Sequence, residues 1–104
     1  MERENEKRRY EVMYILKPDI DEEHYAQEVS RFEELVRQEG GEVGEIEERG
    51  KRTLAYEIKH YDQGYYVLMN FSLNPQSLPR LEERFRLDDV VLRYQIVRLD
   101  EEGG

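Results

Sequence analysis

The chain has 104 residues, 38% of them hydrophobic and 39% charged, enough for one domain with one core and too few for two. It contains no cysteine, which excludes disulfides, thiol catalysis and cysteine-ligated zinc or iron. The net charge of -9 argues at first sight against a nucleic-acid ligand, because affinity for phosphate comes largely from Lys and Arg displacing counterions.

Residues 1–7 show no apolar periodicity and are expected to form a flexible tail; with no hydrophobic stretch to act as a secretory signal, the protein is expected to stay where it is made. Residues 8–16 alternate, with Tyr10, Val12, Tyr14 and Leu16 on one face and Glu11, Met13 and Ile15 on the other, which predicts a strand. Pro18 stops it, and Asp19 or Asp21 can cap a helix whose stripe is Tyr25, Val29, Phe32, Leu35 and Val36. Gly40 and Gly41 supply the left-handed residue that ends it. An extended segment over 42–59 is interrupted at Gly44 and Gly50, which suggests bulges or a bend, and Leu54, Tyr56 and Ile58 alternate most clearly. A turn is expected over 61–64, returning the chain as a strand over 65–73 with Tyr65, Val67, Met69, Phe71 and Leu73 on one face. Ser77 is placed to cap a second helix with Pro79 in its first turn and a stripe of Leu78, Leu81 and Phe85. Residues 90–99 form the last strand, and 100–104, DEEGG, an acidic tail.

The order βαββαβ predicts an α+β fold, the ferredoxin-like split βαβ plan, with a four-stranded antiparallel sheet and two helices on one face, over 8–99. Strands one and three should be central, and the uncovered face should present Glu11, Met13, Ile15, Tyr66, Leu68 and Asn70. A patch of that kind fits a partner surface, with Met13, Ile15, Tyr66 and Leu68 as the candidates.

Little in the sequence supports catalysis. His24 stands among acids at a helix start and His60 beside the hairpin turn, neither with a second histidine nearby. The acids of EIEER at 45–49 and LEERF at 81–85 read as solvated faces, and GxGxxG, P-loop and G-x-S-x-G patterns are absent. No enzyme activity, cofactor, metal or small-molecule substrate is expected, and with no apolar run near the roughly eighteen residues that span a bilayer, no membrane partner. The basic residues are more informative. Arg49, Lys51, Arg52, Lys59 and His60 cluster in one exposed segment, and Arg8 and Arg9 add charge at the first strand. The acids, by contrast, concentrate in the first helix, where Asp19, Asp21, Glu22, Glu23, Glu28, Glu33, Glu34 and Glu39 face only Arg31 and Arg37, and in the two tails. One face can therefore meet phosphate while another is repelled.

RRYEVMYIL at 8–16, GKRTLAYEIK at 50–59, YYVLMNF at 65–71 and FRLDDVVLR at 85–93, in that order, resemble the bacterial-type small-subunit ribosomal protein six family. Thr53 departs from the charged or amide side chain more usual there. The resemblance implies the ferredoxin-like fold and a structural protein of the small ribosomal subunit, on cytoplasmic or organellar ribosomes. It further implies binding to the central domain of small-subunit ribosomal RNA together with small-subunit ribosomal protein eighteen, in a family whose members are often neutral or acidic. At matching positions it points to Arg8, Arg9, Lys51, Arg52 and Arg93 for RNA contact. Tyr10 and Tyr56 also match, but their alternation with core residues predicts packing. The alternative reading is a ferredoxin-like protein-interaction module that binds no RNA.

Overall fold

The computed structural model describes residues 6–99; of the expected tails, 1–5 and 100–104 lie outside the described residues. The elements are β1 (Arg8–Leu16), α1 (Glu22–Gln38), β2 (Glu42–Ile58), β3 (Tyr61–Leu73), α2 (Leu78–Leu87) and β4 (Val91–Arg98). The sheet order is β2-β3-β1-β4 with every neighbouring pair antiparallel, so β1 and β3 are central as expected. Each helix joins two parallel strands separated by a third, and right-handed crossovers place both helices on the same face. This is the ferredoxin-like split βαβ fold.

The alternation of β1 divides the molecule. Tyr10, Val12, Tyr14 and Leu16 point under the helices and are buried, as are Val67, Met69, Phe71 and Leu73 of β3. The helices add Tyr25, Val29, Phe32 and Val36 from α1 and Leu81 and Phe85 from α2. At the centre Phe32 stacks on Phe85 with ring centroids 4.0 Å apart and planes 8° from parallel, and Tyr14 packs against both at 5.2 and 5.1 Å. Two ion pairs flank this stack: Arg31 of α1 reaches Asp88 after α2, and Arg80 of α2 reaches Glu39 after α1.

Asp21 caps α1, its carboxylate accepting the His24 amide at 2.9 Å. The helix ends in a Schellman arrangement: Gly40, at φ 87°, donates to the Arg37 carbonyl and Gly41 to that of Val36, both at 2.9 Å. Ser77 occupies the expected position before α2 but makes no capping hydrogen bond. A 3-10 turn over Pro75–Ser77 precedes the helix, and Asn74 caps that instead through the Gln76 amide.

The hairpin differs most from expectation. Its turn is Lys59–His60, both at positive φ (51° and 74°), between the paired Ile58 and Tyr61. The stretch expected to turn, 61–64, is the start of β3. The register of β2 against β3 slips beside Gly44 and beside Gly50, as expected, and a third time between Thr53 and Ile58.

Phe32 fills the space between both helices and β1 with no exposed surface. Phe32→Ala should therefore cost roughly 3 to 5 kcal/mol by equilibrium urea unfolding, a transfer term plus a cavity the flanking rings cannot close.

Candidate functional site

The face of the sheet away from the helices is only partly open. The tip of the β2–β3 hairpin forms an arm that bends over it, and Leu54 of the arm, with Leu92 of β4, covers Ile15 in a second, smaller apolar cluster. Ile15 is only 4% exposed, so it does not lie on the outer surface as expected; the chain's own arm occupies the space in front of it. Met13, Tyr66 and Leu68 remain half-buried. Met13, Ile15, Tyr56, Tyr66 and Arg93 contribute to the lining of a groove of about 270 Å³ at the edge of the arm.

The bend is possible because position 64 is glycine. Gly64 is buried, and a Cβ there would sit inside the contact distance of Ile15 Cγ2 and 3.4 Å from Leu54 Cδ2. At the root of the arm Tyr65 stacks on Tyr25 of α1, centroids 3.8 Å apart, and its hydroxyl donates to Glu48 at 2.6 Å. Burial, and then that carboxylate, push the Tyr65 hydroxyl well above its ordinary range. Tyr25 in turn donates to the Lys17 carbonyl at 2.5 Å, so the arm is tied through both tyrosines to the loop before α1.

Tyr56, expected to pack in the core, is instead 60% exposed on the arm. Its alternation with Leu54 and Ile58 holds, but that side of β2 belongs to the small cluster on the second face, not to the core under the helices. The Arg93 guanidinium of β4 lies over the Tyr56 ring, 5.8 Å from its centroid, and donates to its hydroxyl. The arm thus reaches across β1 to the far edge strand.

The five basic candidates fall into two groups. Lys51 and Arg52 are exposed on the arm, with Arg52 donating to the Arg49 carbonyl, and Arg93 joins them through Tyr56. Lys59 and His60 are exposed at the tip, whereas Arg49 is engaged by Glu47 at 3.2 Å. Arg8 and Arg9 stand at the other end of the sheet, where Arg8 pairs with Leu73 while Lys51 pairs with Tyr65. Leu73 and Tyr65 are on the order of 25 Å apart at about 3.3 Å per residue. Arg8 also meets Glu6 at 3.5 Å. The acids of α1, including Glu22, Glu23 and Glu34, are exposed on the helical side, so the molecule carries its acidic helix on one face and its basic arm on the other.

Among the described residues no group of three or more His, Asp and Glu is placed to hold a metal ion, and no helix is long and apolar enough to cross a membrane. Gly44 and Gly50 signal bends in β2, whereas Gly64 reads in the sequence as a turn residue and gives no sign that the arm folds onto the sheet there.

Comparison with known proteins gives one consistent result. A family model described as Ribosomal protein S6 matches residues 9–98. The small ribosomal subunit protein bS6 of Caldanaerobacter subterraneus subsp. tengcongensis is 47% identical over 94 residues, covering 90% of this chain and 99% of that one. That of Moorella thermoacetica is 39% identical over 97 residues, covering 93% and 99%. The crystal structure of 30S ribosomal protein S6 from Thermotoga maritima superposes with a TM-score of 0.85 at 32% identity, covering 90% of this chain and 89% of that one.

The contact at Gly64 predicts that Gly64→Ala lowers stability by about 1 to 3 kcal/mol, because the added methyl must push Ile15 or lift the arm. Hydrogen exchange at the arm's amides should accelerate more than in the strands under the helices. Gly44→Ala, where the nearest neighbour is the Asn70 carbonyl at 3.5 Å, should cost little by the same measurements.

Proposed function

The chain belongs to the ribosomal protein S6 family and is a non-catalytic structural constituent of the small subunit of the cytoplasmic ribosome; from that premise we propose that it binds the central domain of small-subunit ribosomal RNA through its basic arm, together with small-subunit ribosomal protein eighteen. The observation that carries the RNA reading is the distribution of charge. A chain of net charge -9 keeps Lys51, Arg52, Lys59 and His60 exposed on one projecting arm, on the side of the sheet opposite its acidic helix. Phosphates would be drawn to the arm and repelled by α1, so the field orients the protein on the RNA before any short-range contact forms.

Arg93 belongs to this set through its contact with Tyr56, which holds the guanidinium at the arm's edge. Arg8 and Arg9 would serve a separate contact at the far end of the sheet, reachable by an RNA segment that runs along the strands. Phosphate contacts of this kind fix position and orientation and carry no sequence information by themselves.

The protein partner would dock on what the arm leaves uncovered. Met13, Tyr66 and Leu68 are half-buried on the open face, with Ile15 as the floor of the adjoining groove. A basic partner seated there would complement the acidity of this chain and extend the positive surface presented to RNA.

Replacing Lys51 and Arg52 together by Ala should weaken binding to the central-domain RNA without lowering the protein's own stability, since both side chains are exposed and outside the apolar clusters. For every phosphate that the variant no longer neutralises, the slope of log affinity against log salt should become shallower by about one unit. Filter binding across a salt series, with the partner present, measures both quantities. Unchanged affinity and slope would make the arm's charge a solvated edge and move the RNA-facing surface to Arg8, Arg9 and the last strand.

A further inference from the structure

On the helical side of the molecule, away from the basic arm and the open face of the sheet, two carboxyl groups meet. Asp88, after α2, has a side chain only 4% exposed. One of its oxygens receives Arg31 Nη2 at 2.5 Å and the other the Val90 amide at 2.8 Å, so it is supplied with donors from α1 and from the start of β4. Glu28, three residues before Arg31 on the same side of α1, lines one cavity with Arg31 and Val90, the two groups that hold Asp88, and so faces the Asp88 carboxyl, while its Oε2 is buried with no donor in reach among the described residues. Two ionised carboxylates are acceptors only and cannot bond to each other; the contact is a hydrogen bond only when one of the two carries a proton.

Among the described residues no donor reaches that oxygen; α2 brings Glu83 and Arg84, which line a cavity with Arg31 and Asp88 but make no ion pair with Glu28. On α1 itself, Arg31 is engaged by Asp88, and His24 lies against Asp21 at 2.7 Å. The loop before α1 brings Asp19 and Asp21, which line the same surface cavity of about 470 Å³ as His24, Glu28 and Arg31. From β1 comes Tyr14, fully buried, whose hydroxyl also has no partner among the described residues and is pushed far up by burial and then by Glu28 and more distant acids.

We propose that Glu28 and Asp88 share one proton, and that this proton clamps α1 to the junction between α2 and β4, loosening the helix layer when it leaves. Burial first and the Asp88 carboxylate second push the Glu28 carboxyl from its ordinary 4.5 up to about 8, with Arg31 opposing. The folded chain holds this proton more tightly than the unfolded one. Its contribution to stability is complete below the unfolded value of 4.5 and is lost as pH rises through about 8. That direction is opposite to the usual loss of stability in acid.

Carbon-13 NMR titration of the glutamate carboxyls in the full-length protein tests the shared proton directly. One glutamate should titrate near pH 8. In Asp88→Asn, whose amide offers Glu28 a donor, the same resonance should move back toward the ordinary carboxylate range. In urea unfolding, the wild-type midpoint should fall between about pH 6 and about pH 9, whereas Glu28→Gln, which donates to Asp88 at every pH, should remove that fall. A wild-type chain in which every glutamate titrates in the ordinary range would overturn the proposal even if the variants failed to fold. So would an unmoved resonance in Asp88→Asn, or a Glu28→Gln midpoint that falls in parallel with wild type.

Discussion

The stack of Phe32 on Phe85 is the contact on which the rest of the structure depends. The two rings come from different helices, lie nearly parallel and rest on Tyr14 of a central strand, so a single cluster fixes both helices to one face of the sheet. Burying three large aromatic side chains at one point accounts for a substantial part of the hydrophobic stabilisation available to a chain of this length. The exposed pairs around it, such as Arg37 with Glu33, add little because solvent screens them.

With both helices committed to one face, the other face is left to the remaining chain. Part of it is covered by the β2–β3 arm, whose bend rests on a glycine with no room for a side chain and on three slips of register along β2. Such slips increase twist and redirect side chains, and here they turn Leu54 inward against Ile15 while leaving Tyr56 outside beside Arg93. The arm is held at both ends by aromatic contacts: Tyr65 on Tyr25 at its root, Tyr56 under Arg93 where it reaches β4. A rigid mount of this kind suits a phosphate-binding role, since an ordered basic segment loses less conformational entropy on association than a free loop.

The same division organises the charges. The acids of α1 are tolerated because the helix shows them to water on the far side from the arm, and Glu22 and Glu23 sit in its first turn, where the helix dipole favours negative charge. Glu28 is the exception. It lies on the part of α1 turned toward Asp88, so the residue type that serves as solvated charge elsewhere on the helix becomes, at this position, a group that must hold or release a proton.

The sequence by itself determined the element order, the strand faces and the core, because alternation and helical spacing are local properties written into residues such as Val12, Tyr14, Phe32 and Phe85. It also determined the family, through four short segments in the right order. It misplaced the hairpin turn: Asp62, Gln63 and Gly64 carry the usual turn signals, whereas Lys59 and His60 adopt positive φ only because the strands on either side pair up to Ile58 and Tyr61. Candidate basic residues could be named from sequence, but not their grouping, since Arg93 joins Lys51 and Arg52 only through Tyr56, across two intervening strands. Nor could the burial of Ile15 or the meeting of Glu28 with Asp88 be read there. Each depends on parts of the chain far apart in sequence coming within contact distance, which tertiary packing alone decides.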